Sequence, residues 1–375
     1  MNGRHFTSTG VRFEPGDRMP PFKARTRSNP QFSFDTMGGC WLVLGLVASS
    51  TDDDCRRAVA TMMAADDVFD DRHARLFIAT RDPDDETQET LVDQLPGRRI
   101  FRDHDGAVAR LAGATTGASG VRRLPRSVWL FIDPAFTIRR VVPMREDGRC
   151  AEELLEAVAA APPVDRFAGF AVPPPILVLP DIFEPDFCER LIGMHRQLGG
   201  ASSGFMRERD GKTVMIKDAS FKVRRDLIID DPAVISEVQS RIIRKVVPQI
   251  ERVHFFRCTR MERYLVGCYP AEEGGHFQPH RDNTTPATMH RRFAVSINLN
   301  EDFEGGEVSF PEYAPRGFKA PRGAAIVFSC SLLHAVSRVT VGARYAFLPF
   351  LYDDAAAEIR RRNSASLETQ DAAAL

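Results

Sequence analysis

The sequence predicts two domains of different class, an α/β domain followed by a β-rich domain with supporting helices. Three observations lead there: apolar strand-like runs alternate with helix-like runs up to about residue 160, a proline-rich stretch follows at 162–175, and short strands punctuated by glycine and proline fill the chain from about 255 onward. The 375 residues also exceed the size at which one core is usual.

In order, Trp41 to Val47 (Trp-Leu-Val-Leu-Gly-Leu-Val) reads as a strand buried on both faces, and Ser49 to Asp54 offer caps for a helix beginning near Cys55. A second buried strand is expected at Ala74 to Thr80, helix-like residues at 85–95, a short strand at 98–101 and a helix opening at Asp105. Ser127 to Asp133 and Thr137 to Val142 read as strands joined by the Asp133-Pro134 turn, with a last helix from Glu152 to Ala160. That order, strand and helix alternating and then a hairpin and a helix, is thioredoxin-like and is assigned to residues 1–161.

Pro162-Pro163 and Pro173-Pro174-Pro175 mark 162–175 as a stiff linker. Beyond it, Glu184-Pro185 opens a helix with Phe187, Leu191, Met194 and Leu198 at helical spacing, ended by Gly199-Gly200. A second helix starts at Asp231-Pro232, with Ile235, Val238, Ile242 and Val246 on one stripe. Strands at Phe293 to Leu299, Glu307 to Phe310, Ala324 to Phe328 and Tyr345 to Leu351 suggest a jelly-roll barrel, or double-stranded β-helix, over 176–355. The end, 356–375, reads as a frayed helix or disorder.

Composition is that of ordinary folded domains, with 43% hydrophobic and 27% charged residues and a formal charge of -1. The basic pairs Arg224-Arg225 and Arg291-Arg292 read as solvated faces, and no nucleic-acid partner is expected. The first twenty residues lack the apolar core of a secretory signal, and Trp41 to Ala48 is too short to span a bilayer, so no membrane association is expected. Seven scattered cysteines without a close pair suggest no disulfide framework and a reducing, cytoplasmic location, with Cys40 and Cys150 as small hydrophobes.

The chemistry-bearing segment is Phe277-Gln-Pro-His280-Arg-Asp282-Asn283. In an extended strand residues i and i+2 share a face, so His280 and Asp282 can bind one ion. His334, a short loop after an apolar strand, supplies the third ligand. Two histidines and one carboxylate form the facial triad of non-haem Fe(II) oxygenases, leaving positions open for cosubstrate and oxygen. Arg344 begins an apolar strand and can grip a carboxylate through two parallel hydrogen bonds. His254, His276 and His290 read as surface or core residues, and 200–213, rich in glycine and charge, as a mobile lid or a surface loop.

Taken together, Tyr264 to Asn283, Ser296-Ile-Asn-Leu-Asn-Glu-Asp-Phe-Glu-Gly-Gly-Glu307, Pro321-Arg-Gly323, His334-Ala-Val and Gly342-Ala-Arg-Tyr-Ala-Phe make residues 175–353 resemble the 2-oxoglutarate- and Fe(II)-dependent dioxygenases, prolyl hydroxylase subgroup. The resemblance implies that 2-oxoglutarate chelates the iron while Arg344 pairs with its distal carboxylate. It also implies molecular oxygen as reactant, succinate as product, hydroxylation of an unactivated C–H bond, and L-ascorbate as a reductant. Tyr269 is similar to a tyrosine that binds the cosubstrate in related hydroxylases, and Asn298 to another cosubstrate-facing position. Phe277 departs from the collagen-type relatives, which have an aromatic hydroxyl there. The substrate can be a prolyl residue of a protein, a free amino acid or another small molecule.

Residues 14–142 resemble the peroxiredoxins, through Glu14-Pro-Gly-Asp-Arg-Met-Pro-Pro-Phe, the 41–47 strand, Asp105-Gly-Ala-Val-Ala and Arg126-Ser-Val-Trp-Leu-Phe-Ile-Asp-Pro134. That resemblance implies a thiol peroxidase in which Cys55 is the working residue and Arg126 assists. The family's proline and threonine are missing, and Asp52-Asp53-Asp54 raise the thiol pKa, so a docking or homodimerisation domain is the other expectation. A binding or sensing module without catalysis is the third reading of the whole chain.

Overall fold

Residues that alternate large apolar groups along an extended backbone can fill two cores at once, and the 41–47 run does so. In the computed structural model, which describes residues 13–111, 127–209 and 212–364, this strand is buried throughout. Leu42, Leu44 and Leu46 enter one apolar cluster, and Trp41, Val43 and Val47 the other. Each such side chain removed from water is worth roughly 1.5–3 kcal/mol. Gly45 is required because it faces Trp129 across the ladder, where an added Cβ would lie 2.3 Å from the indole.

The chain divides into one unit of residues 1–173 with 311–315 and a second of 174–310 with 316–375. The first holds a mixed five-stranded sheet in the order Arg98–Arg102, Ala74–Thr80, Trp41–Val47, Val128–Ile132, Ile138–Pro143. The first three strands are mutually parallel and the last two antiparallel to their neighbours. Helices Arg56–Met63 and Arg149–Ala159 pack on the Trp41 face through Ala58, Val59, Met62, Leu154 and Val158.

Two expectations are corrected here. The helix-like run 85–95 is only a turn, Asp84–Thr87, because the Asp85 carboxylate is drawn inward to accept hydrogen bonds from Ser50, Thr80 and Thr90. The 162–175 stretch, expected as a stiff linker, is packed at Pro162 and Phe167: Trp41 Nε1 donates to the Pro162 carbonyl at 2.8 Å and Phe167 is buried in the Trp41 cluster.

In the second unit, helix Pro185–Leu198 buries Phe187, Leu191 and Ile192, while its expected apolar position Leu198 is 70% exposed. Helix Pro232–Lys245 starts on Asp231, which accepts from the Ala233 amide at 2.8 Å, and presents Val234, Val238 and Ile242 to the same core. Both helices cover a large antiparallel sheet through Val266, Val295, Ile297, Val327 and Phe347. Its strands run Arg260–Glu262, Phe350–Tyr352, Phe293–Asn298, Ala343–Phe347, Leu265–Pro270, Arg225–Ile228, Ala201–Ser202, and Ala325–Ser329 also pairs with Phe293–Asn298. The expected single strand 345–351 is two, because Pro349 has no amide to continue the ladder.

A smaller sheet carries Lys222–Val223, His276–His280, His334–Val336, Val308–Phe310 and Ala314–Phe318 in that order. The region 200–213 forms, with residues up to 216, an antiparallel hairpin of Phe205–Arg209 and Lys212–Ile216, in place of the expected lid or loop. Asp354–Asn363 is helical with Ala356 buried, and the tail beyond 364 lies outside the described residues. Among the described residues no helix is long and apolar enough to cross a membrane.

A candidate metal and cosubstrate centre

The two histidines meet because the small sheet puts their strands side by side, with His280 opposite His334 in the antiparallel register. Between the Phe277–Val336 pair and the His280–His334 pair one strand advances three residues and its partner two, a bulge that contains Pro279. Asp282 lies just past the strand end rather than within it, which departs from the extended spacing expected of the motif. Its amide donates to the Cys330 carbonyl at 2.9 Å, and this bond returns its carboxylate toward the histidines.

His280 Nδ1 is 2.8 Å from the Gln278 carbonyl and His334 Nδ1 3.1 Å from the Leu332 carbonyl. Those bonds place the proton on Nδ1 and the lone pair of each ring on Nε2. The Nε2 atoms lie 3.7 and 3.4 Å from the two Asp282 carboxylate oxygens, and one ligand atom from each residue falls within 4.8 Å of the others. Burial, together with His334, holds the His280 pKa well below the ordinary histidine range, so its ring stays neutral and able to donate its lone pair. Two imidazoles and a carboxylate on a half-buried wall fit a divalent first-row metal such as iron.

The large sheet supplies Arg344, which is 1% exposed. Its Nε donates to Asn298 Oδ1 at 3.0 Å and its Nη2 to Ser296 Oγ at 2.7 Å. Asn300 clamps the backbone on either side of it, accepting from the Tyr345 amide and donating to the Ala343 carbonyl, both at 2.8 Å. Among the described residues Nη1 is buried without a hydrogen-bond partner, a cationic donor with no acceptor. Gly306, at φ +62°, passes so close that an added Cβ would sit 3.1 Å from Arg344 Cδ.

Tyr269 is the cross-strand partner of Arg344, 1% exposed, with the Arg344 guanidinium 5.3 Å from its ring centre. Its hydroxyl accepts from Arg224 Nη1 at 3.3 Å. Asn298 spends its side chain on Arg344 and on the Ala320 carbonyl, which its Nδ2 reaches at 2.7 Å. The structure thus brings His280, Asp282 and His334 together and puts Tyr269, Asn298 and Arg344 in one contact group.

Sequence reasoning missed Lys222, Arg224 and Asp226, whose i, i+2, i+4 spacing puts them on one face. Arg224 is not a solvated residue but 6% exposed, gripping Asp226 through Nε and Nη2 at 2.5 and 2.6 Å. Burial alone would raise the Asp226 pKa, yet Arg224 and Lys222 hold it well below the carboxylate range. Arg291 is likewise buried, on Glu262 at 2.7 Å, whose other oxygen is 2.8 Å from His290 Nε2. His276 is buried at 6% exposure, with Nδ1 2.8 Å from the Gly274 carbonyl and Nε2 3.3 Å from the Ser220 carbonyl, so its ring nitrogens are taken by the backbone.

In the first unit, Cys55 is the cap residue of helix Arg56–Met63, fully buried, with Sγ 3.0 Å from the Ser49 carbonyl. Burial, with smaller contributions from Asp54, Asp52 and Asp85, pushes its thiol up to about 12. Arg126 lies outside the described residues.

Residues 264–352, the stretch carrying both the triad and Arg344, match the 2OG-Fe(II) oxygenase superfamily. The chain is also similar to PKHD-type hydroxylases, at 33% identity over 89 residues to one from Synechococcus sp. and 34% over 91 residues to one from Pseudomonas fluorescens. Each alignment takes in 22% of this chain and 39% of the relative, so the chain spans about two fifths of the length of the curated relatives it matches. Among solved structures, the prolyl hydroxylase of Trichoplax adhaerens in complex with a hypoxia inducible factor peptide fragment has a TM-score of 0.40 and 16% identity, covering 50% of this chain and 86% of that one. The viral collagen prolyl hydroxylase of Paramecium Bursaria Chlorella virus-1 has a TM-score of 0.36 and 17% identity, covering 48% and 96%.

Proposed function

We propose that the second unit is an Fe(II)- and 2-oxoglutarate-dependent hydroxylase, with His280, Asp282 and His334 as metal ligands and Arg344 as the anchor of the distal carboxylate. The observation that carries this reading is the buried, unpartnered Nη1 of Arg344, whose guanidinium is held by Ser296 and Asn298, in the same unit as three convergent ligand atoms. A carboxylate there would complete a bidentate pair. The bound iron would supply the oxidising chemistry, with oxygen and 2-oxoglutarate consumed, succinate and carbon dioxide formed, and a C–H bond of a prolyl residue or a small molecule hydroxylated. Tyr269 would present its hydroxyl beside the same carboxylate, and Phe277, stacked on His280 with ring centres 3.5 Å apart, would shield the ligand from water. L-Ascorbate would return oxidised metal to Fe(II).

The first unit is read as a thioredoxin-like, peroxiredoxin-related scaffold, supported by its mixed sheet and by Cys55 at the first helix N-terminus. The buried thiol opposes a peroxidase role and favours docking or homodimerisation.

The test is succinate release from 2-oxoglutarate by anaerobically Fe(II)-loaded protein after oxygen is admitted, with ascorbate and a panel of amino acids and proline-containing peptides. Iron-dependent succinate that disappears in His280→Ala is expected. Its absence across the panel, or its survival in His280→Ala, overturns the reading.

A further inference from the structure

Lys222 is a buried charge beside the centre that the proposed reaction leaves unused. Its short strand pairs with His276–His280, setting Lys222 opposite Phe277. The ammonium lies 4.8 Å from the Phe277 ring centre, and that ring is the one stacked on His280. Lys222 is 5% exposed, and its hydrogen-bond acceptors, Ser203 Oγ at 2.7 Å and the Gly204 carbonyl at 2.6 Å, are both uncharged. An ammonium carries three donors, so one remains.

The neighbouring carboxylate is already taken. Asp226 accepts the two Arg224 bonds and lies 3.6 Å from Arg263, and among the described residues no carboxylate oxygen comes within 4 Å of Lys222 Nζ. A buried ammonium with no direct ion pair is costly, and burial with Arg224 nearby pushes its pKa well below the ordinary lysine range against the opposing pull of the more distant Asp226 and Asp282. The bonds to Ser203 and Gly204 would fasten the base of the 205–216 hairpin, but a neutral donor could do that at a smaller desolvation penalty. Lys222, Arg224 and Arg263 all draw on the single carboxylate of Asp226, an excess of positive charge that a further anion would offset.

Resting on the hydroxylase reading, in which the 2-oxoglutarate carboxylates go to Arg344 and the metal, we infer that Lys222 is a specificity-determining residue that takes a carboxylate of the substrate. The substrate is then an anion with its carboxylate close to the carbon attacked, a free acid or a chain terminus rather than the interior of a polypeptide.

The experiment is calorimetry on the full chain loaded with Mn(II), which stands in for iron without turning over, and 2-oxoglutarate. The probes are the N-acetylated amino acids and their carboxamides. Mn(II) and 2-oxoglutarate binding are measured first, so failure of the hydroxylase reading shows before any probe is added. At least one acid is expected to bind about tenfold or more tightly than its amide. Lys222→Met should erase that preference, Lys222→Arg should restore part of it, and both should leave 2-oxoglutarate affinity within about threefold. Lys222→Gln, which keeps a donor for Ser203 and Gly204, serves if the Met variant is poorly folded. The inference is overturned if no acid outbinds its amide, if the preference survives loss of the charge, or if the variants lose 2-oxoglutarate instead, which would assign the lysine to the cosubstrate.

Discussion

Arg344 donates its Nε to Asn298 and its Nη2 to Ser296, which leaves its Nη1 with no acceptor among the described residues. The amide and hydroxyl fix the plane of the cation before any ligand arrives, so the cost of ordering it is met in folding. Replacing Arg344 with Met should raise the dissociation constant of 2-oxoglutarate by roughly 10–100-fold, the worth of a charge-assisted hydrogen-bond pair. Asn298→Ala should weaken it by a smaller factor, about three to tenfold, by freeing the guanidinium to rotate. Calorimetric titration of the Mn(II) protein checks both, and an unchanged affinity in Arg344→Met would remove that residue from the site.

Histidines can be sorted by metal content. His280→Ala or His334→Ala should lower Fe(II) affinity by about 100-fold or more, since each leaves two ligands of three. His276→Ala should retain the metal, because its ring is spent on the Gly274 and Ser220 carbonyls. Atomic absorption after dialysis at micromolar iron distinguishes them; metal loss in the His276 variant equal to that in His280→Ala would undo the assignment.

Glu262 makes acid stability testable. Burial alone would raise its pKa, but the His290 hydrogen bond and the charges of Arg291 and Arg360 bring it from 4.5 to about 2. A folded-state pKa below the unfolded one stabilises fully above about 4.5, and that stabilisation drains away as pH falls toward 2. It is on the order of 3 kcal/mol. Glu262→Gln should therefore melt well below wild type at pH 7 and approach it near pH 2.5; a constant difference across that range would show that the ionised carboxylate contributes nothing.

Cys55 should be inert in the native state. With its thiol buried and raised to about 12, alkylation by iodoacetamide at pH 8 should be slower than for a free thiol by a factor of about 1,000 and should appear only on unfolding. Peptide mass spectrometry reads this directly. Cys55→Ser should leave peroxide consumption unchanged, and rapid native-state labelling would revive the peroxidase reading.

Much of this centre was legible in the sequence because its parts advertise themselves by chemistry. His280 and Asp282 are two positions apart, and His334 and Arg344 each adjoin an apolar strand. The strands in 293–347 were readable from β-branched and aromatic alternation interrupted by glycine. Lys222, Arg224 and Asp226 were not, since a basic pair looks solvated until the partner that neutralises it is known, and Asp226 reads as one more surface acid. The run 85–95 misled for a related reason: helix propensity there yields to a carboxylate pulled inward by three hydroxyl-bearing residues. Asp282 fell outside the strand because the partner strand begins at His334, already opposite His280, which leaves nothing for position 282 to pair with and which periodicity does not encode.

The ladder that sets His280 opposite His334 also frees the chain between them. Neither histidine depends on the length of the intervening segment, only on the pairing of the two short strands at its ends. Within that segment, His290 and Arg291 are tied to Glu262, so the 283–292 loop is anchored at its far end by contacts separate from the histidine pairing. The pairing of the two histidines and the anchoring of the loop after Asp282 therefore rest on different contacts, so a change in one need not move the other.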